Sequence, residues 1–228
     1  LFSMEEIHDY LHKALQFVRD QDGASCATHP DTGYWHDFPF DAVDVELKSA
    51  AVRQAFHEDE PTVPLLNKTL HGTAVEQYYL SGRRITLMVS VDMWGTQRLQ
   101  ENPVFQFVYV DGEPSRSSIV AAIKAGHLIP AVHIREAELT LDGRLPGDSL
   151  SLQEAQRGSL QIRVEAEKPL SELRLFSHDQ LVFCEELHKS SSLQRTLSLK
   201  DLPLRTFLRL EIEGSEAVLF SNPFYLTA

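Results

Sequence analysis

The sequence predicts an α/β layer over residues 1–135 followed by an antiparallel β-sandwich over residues 136–228. The first observation is a change of apolar period. Before residue 135 apolar residues recur at helical spacing or in short buried runs. After it they fall on every second position: Leu139 and Leu141, then Leu160, Ile162 and Val164, then Leu173 and Leu175, then Leu208, Leu210 and Ile212. The second is the turn residues between those runs, Asp142-Gly143, Pro146-Gly147-Asp148 and Glu213-Gly214-Ser215. The third is composition, 43% apolar and 24% charged over 228 residues, which suits one large or two small folded domains and excludes a disordered chain.

The first segment is expected to be a helix, because Ile7, Leu11, Leu15 and Val18 share one helical face and Ser3 with Glu6 has the capping-box pattern; Gly23 closes it. Residues 24–28 then form a short strand, at whose end Pro30 biases His29 toward extended backbone. A second strand is expected at 44–48, a long loop at 58–64 and a helix at 73–81. The mostly apolar run 85–91 has the composition of a strand buried on both faces, with Asp92 at its C-terminal end. A strand at 105–110 and a helix at 115–125 follow. Ile119, Ala122 and Ile123 are expected to face inward on that helix, and Gly126 stands just past its end.

Charge limits the partners. Lys and Arg total 21 against 33 Asp and Glu, a formal charge of −12 that repels phosphate backbone and anionic lipid, so no nucleic-acid partner is expected. The longest apolar run, residues 119–123, is far below the roughly 18 that a membrane span needs, and Leu1 begins no basic-then-apolar leader. Cys26 and Cys184 make neither a disulfide framework nor a CxxC metal knuckle.

Eight of the ten histidines precede Arg135. His8 and His12 stand four apart on the first helix, but Asp9 occupies the place where a zinc-protease helix has Glu, and exposed histidines are the expectation. His29 and Asp92 differ, because both are expected at C-terminal strand ends, with Asp44 and Glu46 on or beside a third strand. Imidazole and carboxylate converging on one strand-end face suit a divalent hydrolytic metal, since both offer lone pairs and bound water then loses its proton near neutral pH. A capping Asp and a hydrogen-bonded loop His would give the same pattern. No GxGxxG, GxxxxGK[ST] or GxSxG motif is present.

An ordered series of segments resembles the later part of PHP (polymerase and histidinol phosphatase) domains, in particular the branch related to carbaryl hydrolases and metal-dependent phosphoesterases. They are Ala27-Thr28-His29-Pro30; residues 76–85 with the Tyr78-Tyr79 and Gly82-Arg83 pairs; Ser90-Val91-Asp92-Met93-Trp94-Gly95; residues 107–112 and 121–126; Thr140-Leu141-Asp142-Gly143 with Pro146-Gly147-Asp148; and the closing Ser221-Asn222-Pro223-Phe224-Tyr225-Leu226. The resemblance implies an incomplete PHP-type layer, part of a distorted β/α barrel, before the sandwich. It also implies that His29 matches the metal ligand of the HP motif and Asp92 the Asp of an SDxH motif.

The departures shape the functional expectation. The HxH-like opening motif and the further ligands of PHP enzymes are missing, and Trp94 stands where the SDxH motif has its His; indole has no lone pair for a metal. The resemblance therefore implies a C-terminal portion of a PHP protein, catalytically incomplete and acting as a binding or structural module. A divalent metal (Zn, Mn or Fe) would be weakly bound or absent. The alternative is a fragment of an active phosphoesterase or carboxylic-ester hydrolase whose other ligands lie in an absent N-terminal part. Sheet edges left open by the missing strands are expected to be covered by such a segment or by self-association.

Overall fold

Ser3 begins the first element as the sequence requires. Its Oγ accepts the Glu6 N–H at 3.2 Å and the Glu6 carboxylate accepts the Ser3 N–H at 2.7 Å, starting α1 (Met4–Asp20). Asp22 then turns left-handed, and the Gly23 N–H reaches back 2.8 Å to the Val18 carbonyl. The computed structural model describes residues 3–28, 38–46, 69–71, 73–90 and 104–228. Within them Leu15 is the buried anchor of α1, while Tyr10 and Phe17 are exposed. His12 is exposed, as expected, and His8 half-buried, and their rings lie 5.0 and 4.9 Å from that of the buried Phe38.

Three short strands follow, β1 (Cys26–Ala27), β2 (Ala42–Glu46) and β3 (Thr86–Ser90), all parallel in the order β1-β2-β3. Ala27, Val43 and Leu87 stand in one row across them. Between β2 and β3 lies α2 (Ala74–Leu80), capped by the Thr73 hydroxyl and packed inward through Val75, Tyr78 and Tyr79.

β4 (Val104–Val108) and β5 (Leu128–Val132) pair antiparallel around α3 (Arg116–Ala125), which starts on a Ser115–Ser118 capping box and ends at a left-handed Gly126. Ile119, expected inward, is 39% exposed: α3 lies on the surface and buries only Ala122 fully. The chain continues through β6 (Ile134–Leu141), β7 (Ser149–Ser151), the short α4 (Leu152–Arg157), β8 (Ser159–Ser177), β9 (Gln180–Ser198), β10 (Phe207–Gly214), β11 (Val218–Phe220) and β12 (Phe224–Thr227). Helix α4 lay outside the period-two reading, and the Ser151–Glu154 capping box explains it.

The fold is mixed α/β and mostly β. In place of a two-sheet sandwich, β4 to β12 form one connected, mostly antiparallel sheet that nearly closes like a barrel. Its curvature comes from β8. Residues 160–166 pair with β6, residues 170–177 pair with β10, and β9 runs along the other side of both halves. Pro169, with no N–H for the ladder, sits at the change of partner, where a Cβ on Gly214 would collide with its carbonyl oxygen. Opposite, His188 and Lys189 are consecutively left-handed and bulge out of β9. One pair, β7 with β12, is parallel.

Every alternating position named from the sequence is buried: Leu139, Leu141, Leu160, Ile162, Val164, Leu173, Leu175, Leu208, Leu210 and Ile212. A second core joins the parallel layer to the large sheet, with Val43, Val75, Leu87 and Val89 against Val132, Phe207, Val218 and Phe220. No helix among the described residues is long and apolar enough to cross a membrane.

Candidate functional site

Because β1, β2 and β3 are parallel, their last residues point the chain toward the same end of the small sheet, Glu46 and Ser90 level with each other and Ala27 level with Val43. His29 follows Ala27 by two residues and Asp92 follows Ser90 by two. His29, Asp92 and Trp94 themselves lie outside the described residues. Asp44, on the central strand two residues before its end, is 3% exposed and faces Met88 in register. Among the described residues no group of three or more His, Cys, Asp and Glu side chains is placed to hold a metal.

Beneath this layer lies a group of buried charges that the alternating pattern conceals. Arg209 and Glu211 stand on the face of β10 opposite Leu208, Leu210 and Ile212, and neither has any exposed surface. The parallel layer covers that face. Glu76, in the first turn of α2, accepts from Arg209 Nη2 at 2.6 Å, and Arg209 Nη1 pairs with Glu211. The Leu70 N–H donates to Glu211 Oε1 at 2.9 Å, and Arg174, opposite Glu211 on β8, lies 3.4 Å from its Oε2. The Arg209 guanidinium also lies 4.2 Å from the ring centre of Phe176, its neighbour across the ladder. His71 packs on Phe176 and sits 3.2 Å from Glu76 Oε1 at the rim of the group. A desolvated guanidinium needs such partners to be tolerated. The arrangement can orient α2, and with it the strand that leads to Asp92.

The outer side of β3 is closed by side-chain amides. Asn222 Oδ1 accepts the Leu87 N–H at 2.6 Å, and its Nδ2 donates to the Leu87 and Leu128 carbonyls at 3.1 and 3.0 Å. Two residues along, Gln106 Nε2 donates to the Val89 carbonyl at 3.1 Å. The next strand of backbone is thereby replaced by two carboxamides, and the two sheets are locked to each other.

At the opposite, N-terminal end of β3 a cavity of about 340 Å³ opens between the end of α3, the start of β3, β7 and β12. Arg84, Lys124, His127, Asp148, Ser149 and Tyr225 are among its walls. His127 Nε2 lies 3.1 Å from Asp148 Oδ1, whose other oxygen accepts the Leu145 N–H at 2.8 Å. The Arg84 guanidinium covers the Tyr225 ring at 4.7 Å. The Tyr225 phenol is pushed up to about 12 by burial, against the opposing pull of the Ile85 N–H and the Arg84 charge. The sequence carries no motif for this cavity, whose walls come from residues 84 to 225.

No protein-family model, no curated protein and no solved structure matches this chain.

Proposed function

We propose that this chain is a relative of the PHP metal-dependent hydrolases, that it carries two ligand-type positions of a divalent-metal site, His29 and Asp92, and that it acts as a binding or structural module and not by itself as a hydrolase. The observation that supports this reading is the parallel order β1-β2-β3, in which β1 and β3, the strands that precede His29 and Asp92 in sequence, run toward the same end of the sheet, with the buried Asp44 on the central strand. A neutral imidazole and a carboxylate are ordinary ligands for Zn, Mn or Fe. Two such donors fall short of the three that a catalytic zinc takes from protein, and Trp94 offers none. No hydrolytic step is therefore assigned to this chain.

The test is elemental analysis of the chain as isolated, followed by titration with Zn²⁺ and Mn²⁺. Substoichiometric metal and weak binding are expected, lost in His29→Ala and Asp92→Ala and strengthened in Trp94→His. A stoichiometric metal on the unmodified chain would overturn the claim of an incomplete site. Binding indifferent to His29 and Asp92 would overturn the site itself.

One observation bears on the alternative, an active phosphoesterase or carboxylic-ester hydrolase completed by another segment. Among the described residues β1 pairs only with β2, so its outer edge is where an added strand or a second copy would bind. Mass measurement in solution separates a monomer from a self-associated form.

A further inference from the structure

The cavity at the N-terminal end of β3 lies at the opposite end of that strand from Ser90, the last described residue before Asp92, and shares no residue with the proposed metal positions. Its electrostatics run against those of the whole protein. The chain carries a formal charge of −12, yet two of the cavity's walls are the permanent cations Arg84 and Lys124. Asp148 is engaged on both oxygens, by His127 and by the Leu145 N–H. Lys124 shares its charge with Asp22, an exposed residue 3.3 Å away, where solvent screens the pair. Arg84 has no carboxylate partner among the described residues and rests on the Tyr225 ring, its hydrogen-bonding edge available. In addition the Ser149 hydroxyl, buried in the cavity wall, has no hydrogen-bond partner among the described residues. Such a group costs stability unless something bonds to it.

The floor of the cavity is fixed by backbone. Gly147 has φ +95°, and a Cβ there would collide with the Ala125 carbonyl oxygen and the Gly126 carbonyl carbon. Gly126 is left-handed, and a Cβ on it would come 3.1 Å from the Gly147 Cα. Two loops thus close on each other with no side chain between them, and they leave a cavity whose size suits a small metabolite.

We infer that this cavity binds a small hydroxylated phosphomonoester, its phosphate held by Arg84 and Lys124 and its hydroxyls by Ser149 and the His127–Asp148 pair. A dianion matches two permanent cations better than a carboxylate does, and the cavity holds more than inorganic phosphate alone.

The test is titration calorimetry of the full chain with glycerol 3-phosphate, beside glycerol, glycerate and inorganic phosphate, with amide chemical shifts to locate the bound probe. Saturable binding of glycerol 3-phosphate is expected, with shifts at His127 and Ser149 and no response to glycerol. Arg84→Ala and Lys124→Ala should each weaken it roughly tenfold, the effect of losing one charge-assisted hydrogen bond. Arg195→Ala, remote on β9, should leave it unchanged. Both cavity positions are exposed, and Arg84→Lys, which keeps the charge, should recover part of the affinity. Binding of glycerol equal to that of its phosphate would overturn the inference, as would affinity unchanged in Arg84→Ala. Inorganic phosphate binding as tightly as the ester would overturn the organic ligand.

Discussion

The Asn222 carboxamide stands beside Leu87 as a neighbouring strand would, accepting its N–H and donating to its carbonyl from one side chain. With no exposed surface at either residue, water cannot substitute. Asn222→Leu leaves the Leu87 N–H and two carbonyls unpaired, each at roughly 1–3 kcal/mol, so a loss of about 3 kcal/mol or more is expected in urea unfolding. Asn222→Asp keeps the acceptor and loses the donor, and its buried carboxyl should favour the neutral form. That variant should recover stability as pH falls from 7 to 4, whereas Asn222→Leu should not.

Arg209 is shared between Glu76 and Glu211. Arg209→Met strands two buried carboxylates and should cost about 3–5 kcal/mol. The triple replacement of Arg209, Glu76 and Glu211 by apolar residues of similar volume should be less damaging than the single one. A triple variant weaker than Arg209→Met would show that the charges stabilise the joint beyond mutual compensation.

Burial holds the phenols of Tyr109 and Tyr225 up at about 12 and that of Tyr79 well above 10. The folded protein therefore keeps these protons where the unfolded chain releases them. The associated stability is fully present below pH 10 and falls as pH rises from 10 through 12. Urea midpoints at pH 9 and pH 11, read beside phenolate absorbance, check this; equal midpoints with these tyrosines ionised in the native state would refute it.

Gly147→Ala forces a side chain at φ +95° into the Ala125 carbonyl. Strain of roughly 1–3 kcal/mol is expected from the backbone alone. Gly143→Ala, also left-handed at φ +78° but open around its Cα, should cost less. Thermal unfolding of the two variants separates backbone strain from collision.

The elements most legible in the sequence were those whose local chemistry and tertiary surroundings agree. Ser3 with Glu6, Thr73, and Ser115 with Gly126 mark helix ends that the structure keeps within a residue or two. The alternation of Leu208, Leu210 and Ile212 located β10 but hid half of its meaning. Arg209 and Glu211, at the intervening positions, fit a solvent face equally well, and only the covering of that face by α2 makes them interior. Asn222 was visible only as part of a terminal segment, because its partners lie 135 and 94 residues away. Period two also fails to distinguish two stacked sheets from one curled sheet, since both bury every second residue; Pro169 and Gly214 decide between them here through contacts remote in sequence.

The paired left-handed residues His188 and Lys189 have a consequence for solubility at high concentration. β9 is 19 residues long and, among the described residues, bonded on one side only, which makes it a template for an incoming chain. The bulge divides that template into 180–186 and 190–198, whose free amides no longer share one line. An intruding strand can zip onto one piece but must break register to continue. Straightening β9 by deleting the bulge would restore an uninterrupted ladder and turn a tolerated edge into a nucleus for fibrous assembly.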